Sequence, residues 1–208
     1  MAYSDFTLDE IKTKFQITIF GDLKLFQEAQ FFNVSETLLN ILEDNVPLAL
    51  AIDTEKARSE FIIAPILAEF RKLFKQKLSL FSGIDFNIEP ENGLNGVCDF
   101  IISYSKEQLY VDTPILILVE AKNNKIKDDI AQCIAEMIAA QIFNNKKKNT
   151  IDSIYGIVTT GSLWRFIKLV NKEIFIDMDE YHIKDIKKIF GILVSIEESL
   201  TKKITINN

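Results

Sequence analysis

The sequence predicts an α/β domain in which helices flank a mixed central sheet. A helical pattern over 54–78 precedes three β-rich segments, and a second helical pattern, more strands and a last helix follow them. The third β-rich segment, "ILILVEAK" (115–122), is aliphatic up to its charged end, which is typical of a strand buried on both faces. This order of elements favours helices packed on a sheet over a helical bundle or a barrel.

Residues 1–50 are predicted to form a small N-terminal extension that packs on a core domain of residues 51–208. Within the extension, "FQITIF" (15–20) has the composition of a short strand. Ser35 precedes leucines and isoleucines at helical spacing, so it predicts a capped helix that ends at Glu43.

The first long helix of the core is predicted from Thr54 to Leu78, where apolar residues recur three and four positions apart. Pro65 lies inside this run. Because proline has no backbone N–H, the helix is expected to be kinked there or to begin only near Ser59.

The remaining elements follow from composition and periodicity. A second helix is predicted over 125–143 and a last helix over 182–200. Trp164 and Phe166 alternate on a predicted strand and are expected to be core residues. The predicted strands besides 115–122 lie within 78–89, 96–105, 151–160, 163–170 and 173–177.

The charged residues at the end of segment 115–122 are unexpected in a buried strand. Successive side chains of a strand alternate between its faces, so Glu120 and Lys122 point to one face. A buried charge is costly unless it is paired or binds a metal, so Glu120 needs partners. Asp99 lies among apolar residues of the preceding segment and can be such a partner if the two strands are neighbours.

Two carboxylates, with a backbone carbonyl and water, are the oxygen ligands that Mg²⁺ prefers, so Asp99 and Glu120 predict a site for this ion. Lys122 is placed to help deprotonate a water molecule or to neutralise charge on a phosphoryl oxygen. Glu60, on the first long helix, is placed to add a carboxylate. These residue types together indicate phosphodiester hydrolysis.

Asp99, followed by Glu120-x-Lys122 at a strand end, resembles the motif of the PD-(D/E)XK nuclease superfamily. The order helix, three strands, helix and strand is similar to the core of its restriction-endonuclease-like fold. "TTGSLWRF" (159–166) is similar to a segment in the nuclease domain of type I restriction enzymes. The resemblance covers residues 55–178. It implies that the two acids bind Mg²⁺, with Mn²⁺ as an alternative, and that the lysine activates water.

The resemblance also implies roles for two helical residues. Glu60 matches a glutamate that many members carry before the first core strand, and Gln132 matches a glutamine of several subfamilies on the helix after the third. The alternative for Glu60 is an exposed ion pair. By helical rotation alone, Gln132 falls on a polar face with Asp128 and Glu136, which favours a role in solvent.

The charge balance bears on the partner. A net charge of −6 and a pI of about 5.0 exclude a protein that coats nucleic acid by bulk charge. Lys125 and Lys127, close to Lys122, are predicted to bind phosphates at the rim of the site. The resemblance favours DNA over RNA, and we expect a homodimer or a partner protein to assist binding.

The rest of the composition predicts a cytoplasmic protein without a membrane partner. Cys98 and Cys133 form no CxxC pair and are expected to be reduced, buried thiols. The N-terminus carries acids where a signal peptide carries bases, and no apolar run reaches the roughly 18 residues that a membrane span needs.

Two other functions stay open. The chain can be a catalytically inactive module of the same fold, acting as a binding or assembly subunit, because a fold does not determine an activity. It can also be an unrelated α/β domain in which Glu120 and Lys122 form a structural ion pair.

Overall fold

The computed structural model of the protein describes residues 1–123, 126–149 and 151–206, with the backbone alone of 126–128 and 200–206. Its strands are β1 (Thr18–Leu23), β2 (Ser79–Asp85), β3 (Val97–Ser103), β4 (Ile115–Ala121), β5 (Ile154–Thr159), β6 (Leu163–Val170), β7 (Glu173–Asp177) and β8 (Tyr181–His182). They form one mixed sheet in the order β1-β7-β6-β5-β4-β3-β2, and β8 pairs with β6 beside this path.

Helices cover both faces of the sheet. They are α1 (Leu8–Phe15), α2 (Glu36–Ile52), α3 (Glu55–Arg58), α4 (Ala64–Leu73), α5 (Ile126–Lys146) and α6 (Ile186–Ile206). Buried residues of α1 and α5 form one apolar cluster with the sheet. Those of α2, α4 and α6 form a second cluster with the opposite face. The predicted α/β class, with a mixed sheet flanked by helices, is therefore confirmed.

The central strands arrange the end of β4. β3 runs antiparallel to β4, whereas β5 runs parallel to β4 and is connected to it through α5. Every residue of β4 is buried, as its aliphatic run predicts. Trp164 and Phe166 of β6 are fully buried, which confirms that they are core residues.

The helical run around Pro65 contains a π-helical segment, Ser59–Ile63, between α3 and α4. Pro65 lies in the first turn of α4 and cannot donate to the helix. The carbonyl oxygen of Phe61, four residues earlier, accepts a hydrogen bond from Nδ2 of Asn45 at 3.1 Å instead. The side chain of α2 thus satisfies a carbonyl group that the proline leaves without its helical donor.

The first fifty residues contribute to both apolar clusters. β1 forms an edge of the sheet and pairs in parallel with β7. Ser35 caps α2 as predicted, but this helix extends to Ile52 instead of ending at Glu43. At the N-terminus, the buried Tyr3 donates its hydroxyl hydrogen to the Phe86 carbonyl at 2.6 Å.

Among the described residues, no helix has the length and apolar composition that crossing a bilayer requires.

Candidate active site at the end of β4

Asp99 and Glu120 lie side by side on the face of the sheet that α5 covers. The antiparallel register pairs Phe100 with Val119, which brings the two acids together on neighbouring strands. Oδ2 of Asp99 accepts a hydrogen bond from the backbone N–H of Ala121 at 2.8 Å. This bond fixes the Asp99 carboxylate against the end of β4.

Lys122 forms an ion pair with Glu120 at the same strand end. Its Nζ lies 2.7 Å from Oε1 of Glu120 and 3.7 Å from Oδ1 of Asp129, at the start of α5. The backbone N–H of Lys122 donates to the Thr159 carbonyl at 2.8 Å, so the main chain here is held by β5. The Glu120 side chain is 2% exposed and that of Lys122 is 17% exposed, which leaves the ammonium group as the more accessible partner.

Gln132 of α5 connects the two charged side chains. Its Nε2 donates to Oε1 of Glu120 at 2.6 Å, and its Oε1 accepts from Nζ of Lys122 at 3.3 Å. The interpretation that its polar helix face points to solvent is therefore wrong, because that face points at the end of β4. We call Asp99, Glu120, Lys122 and Gln132 the strand-end cluster.

Burial determines the charge states of this cluster. It raises the pKa of Asp99, and together with the Asp99 charge it raises the pKa of Glu120 to about 7. Burial by itself lowers the pKa of Lys122, but the charge and hydrogen bond of Glu120 outweigh it and raise this pKa above its ordinary value. Near neutral pH, the cluster therefore combines a fixed cation with a carboxylate close to its ionisation midpoint.

The structure does not bring Glu60 into the strand-end cluster. This carboxylate is exposed, and its Oε1 lies 3.7 Å from Nζ of Lys56 on the same helical run. Glu55, the first residue of α3, is also exposed, but its carboxylate lies within the electrostatic influence of the cluster. Burial raises the pKa of Glu55, and the charges of Lys122 and Asp99 also act on it. The sequence could not distinguish these two glutamates.

Arg58 lies beside the strand-end cluster, and its role was not predicted from the sequence. Its Nε donates to Oδ1 of Asn123 at 3.1 Å, and one terminal nitrogen donates to the Thr160 carbonyl at 3.1 Å. The other terminal nitrogen pairs with Oδ1 of Asp53 at 2.9 Å. The guanidinium thereby joins α3, the residue after Lys122 and the β5–β6 turn. An arginine in a helical run gives no sequence signal for this role.

The predicted phosphate-binding residues Lys125 and Lys127 lie outside the side chains that the structure describes. Among the described residues, Lys122 is the basic residue whose side chain forms an ion pair with Glu120.

The donor set of the cluster fits a divalent cation. Among the described residues, no group of three or more acidic, histidine or cysteine side chains forms a ready metal site. Asp99 and Glu120 nevertheless supply two neighbouring carboxylates, the ligands that Mg²⁺ and Mn²⁺ accept. Oε2 of Glu120 is buried and has no hydrogen-bond partner among the described residues. A buried oxygen of this kind needs a cation or a proton to offset its lost hydration.

In comparisons with known proteins, no protein-family model and no curated protein sequence matches the chain.

Proposed function

We propose that the protein is a metal-dependent phosphodiester hydrolase, a DNA endonuclease of the PD-(D/E)XK type. The observation that carries this proposal is the ion pair of Lys122 with Glu120 at 2.7 Å, beside Asp99 on the neighbouring strand. The order α4, β2, β3, β4, α5 and β5 supports a restriction-endonuclease-like core. The strand arrangement also supports the role of β4, which ends at this site between β3 and β5.

Asp99 and Glu120 are the residues that would hold Mg²⁺ or Mn²⁺. The carboxylates of the half-buried Asp99 and the buried Glu120 are neighbours, and Oε2 of Glu120 is buried without a hydrogen-bond partner among the described residues. A bound divalent ion supplies positive charge at the reacting phosphate and lowers the pKa of water. The N–H of Ala121 keeps one oxygen of Asp99 in place, so the Asp99 carboxylate needs little reorientation.

Lys122 supplies a fixed positive charge next to the reacting phosphate. Glu120, Asp129 and Gln132 all accept from or pair with its ammonium group, so the long side chain has little freedom. An oriented cation stabilises negative charge that develops on a phosphoryl oxygen. Its hydrogens can also orient a water molecule for attack. Through its hydrogen bonds to both, Gln132 holds the side chains of Glu120 and Lys122 in fixed positions relative to each other.

DNA as the substrate rests on the resemblance of the motif and not on surface charge. The net charge of −6 makes strong binding by the isolated chain unfavourable. A homodimer or a partner protein would supply the missing contacts to the phosphate backbone.

A non-catalytic binding module is the second candidate. The observation in its favour is that Lys122 already has three partners, the carboxylates of Glu120 and Asp129 and the amide oxygen of Gln132, as a structural ion pair also would. The two candidates differ in one measurable property. Only the first predicts hydrolysis of DNA, and that hydrolysis requires Asp99.

The test is nicking of supercoiled plasmid DNA in the presence of Mg²⁺ or Mn²⁺. Wild type is compared with Asp99→Ala and Lys122→Ala, and with Lys56→Ala as a matched control for loss of a surface lysine. We expect cation-dependent nicking by wild type and Lys56→Ala, and loss of it in the other two. Equal nicking by all four proteins would show a contaminating nuclease, and no nicking by wild type would favour the binding module.

A further inference from the structure

Glu136 is a buried acid that the proposed chemistry does not use. It lies on α5 one turn after Gln132, and its side chain is 0% exposed. A glutamate that is fully removed from water is costly unless its polar atoms have partners. Its Oε1 accepts a hydrogen bond from Nε2 of Gln132 at 3.2 Å, and its Oε2 is buried without a hydrogen-bond partner among the described residues. The Glu120 carboxyl group is also close, and burial together with the Glu120 charge raises the pKa of Glu136.

The Gln132 amide has a definite orientation because of its neighbours. Its Nε2 donates to Glu120 at 2.6 Å and to Glu136 at 3.2 Å, and its Oε1 accepts from Lys122 at 3.3 Å. A flip of the amide would point its oxygen at two carboxyl groups and its N–H groups at an ammonium ion. Three interactions would become unfavourable at once.

We infer that Glu136 is a positioning residue that orients the Gln132 amide and, through it, Glu120 and Lys122. This inference rests on the proposed function for its meaning, but the orienting contact itself is independent of any reaction. Without Glu136, one N–H of Gln132 would lose its acceptor inside the protein. The amide would then be held from one side only, by the residues that also have to bind a cation and a phosphate.

Supporting residues of this kind have measurable effects. Partners that orient a ligand typically change metal affinity by about 10- to 100-fold when they are removed. A residue that only fills space has no such effect if its volume is kept. Substitutions of Glu136 can remove its hydrogen-bond acceptor while keeping its volume, which makes the positioning role testable.

Two variants distinguish the acceptor from the space it fills. Glu136→Gln keeps a side-chain oxygen that can accept from Gln132, whereas Glu136→Met keeps a similar length without a strong acceptor. Glu136→Leu is a second variant without an acceptor, in case the methionine variant does not fold. Thermal unfolding confirms that each variant is folded before further measurement.

The first readout uses the protein without metal. The side-chain amide resonances of Gln132, assigned by their loss in Gln132→Ala, are recorded by nuclear magnetic resonance. We expect them to keep their shifts and their protection from water exchange in Glu136→Gln. In Glu136→Met or Glu136→Leu we expect them to move towards those of exposed glutamines and to exchange faster.

The second readout is the binding of Mn²⁺ alone, measured by calorimetry. We expect Glu136→Met to weaken it by about tenfold or more, and Glu136→Gln to stay close to wild type. Equal losses in both variants would overturn the inference, because they would indicate charge and not the acceptor. Unchanged Gln132 resonances in Glu136→Met would overturn it whatever the Mn²⁺ affinity. Shifted resonances without Mn²⁺ binding by wild type would keep the positioning role and contradict the proposed hydrolase instead.

Discussion

The two faces of the sheet are both buried, but at the central strands β3 and β4 they differ in the charge of their side chains. On the face covered by α2, α4 and α6, the central strands β3 and β4 present Phe100 and Val119. On the α5 face, the adjacent positions present Asp99 and Glu120. The strands are the same, and a one-residue step in each separates apolar packing from a cluster of acids.

This difference indicates what each face contributes. The apolar face gains free energy from the area that it removes from water. The acids of the α5 face oppose folding, because burial raises the pKa of Asp99 and of Glu120. A protein retains such groups when they do something other than stabilise the fold. The comparison therefore predicts that substitutions on the two faces change stability in opposite directions.

The largest expected effect is on the apolar face, at Trp164. This side chain is 0% exposed, and its Nε1 donates to the Gly161 carbonyl at 3.0 Å. Trp164→Ala should lower the free energy of unfolding by about 3 to 5 kcal/mol, because it opens a cavity and leaves that carbonyl without its donor. Urea denaturation monitored by circular dichroism measures the loss.

The control is Phe31→Ala, which removes another large aromatic side chain that is 72% exposed. A change within about 0.5 kcal/mol is expected there, as for most surface substitutions. A similar loss in both variants would contradict the assignment of Trp164 to the apolar core.

The next effect has the opposite sign and lies at Glu120. Its pKa is about 7 in the folded protein, above the ordinary value of 4.5 that applies to the unfolded chain. Protonation therefore favours the folded state, and stability falls as pH rises from 4.5 through about 7. Without metal, Glu120→Gln should be more stable than wild type by up to about 3 kcal/mol above that range.

The measurement is urea denaturation of both proteins across the same pH range, without divalent ions. Below the ordinary pKa of a glutamate the two proteins should have similar stability, because Glu120 is then protonated in both states. If Glu120→Gln is less stable than wild type at alkaline pH, the ion pair with Lys122 stabilises the fold more than burial of the carboxylate opposes it.

More of the fold than of the candidate site could be predicted from the sequence. The bounds of β6 and β7 agree with the predicted strands 163–170 and 173–177, because alternation and turn residues are local signals. The strand end with Glu120 and Lys122 was also predictable, since charge after an aliphatic run is itself a local signal. Gln132 was interpreted wrongly because periodicity distinguishes polar from apolar faces but does not show what a polar face meets.

The two helical glutamates show the same limit more sharply. Glu55 and Glu60 are five positions apart, which places them about 140° apart around a regular helix. Both lie in the helical run predicted over 54–78, so periodicity alone does not show which of them lies nearer the strand-end cluster. The contacts of Arg58 with Asn123 and Thr160 tie α3 to the end of β4 and to the β5–β6 turn, and they join segments far apart in the chain that no local pattern connects.

The smallest expected effect tests this last difference. Glu55→Gln should weaken cation-dependent nicking by about tenfold, as expected for a residue that supports a metal site. Its carboxylate lies in the field of Asp99 and Lys122, whereas Glu60 is engaged with the exposed Lys56. Glu60→Gln is the matched control and should leave nicking within about twofold of wild type. A larger loss of nicking in Glu60→Gln than in Glu55→Gln would contradict this expectation and favour Glu60 as the helical carboxylate, as the resemblance implies.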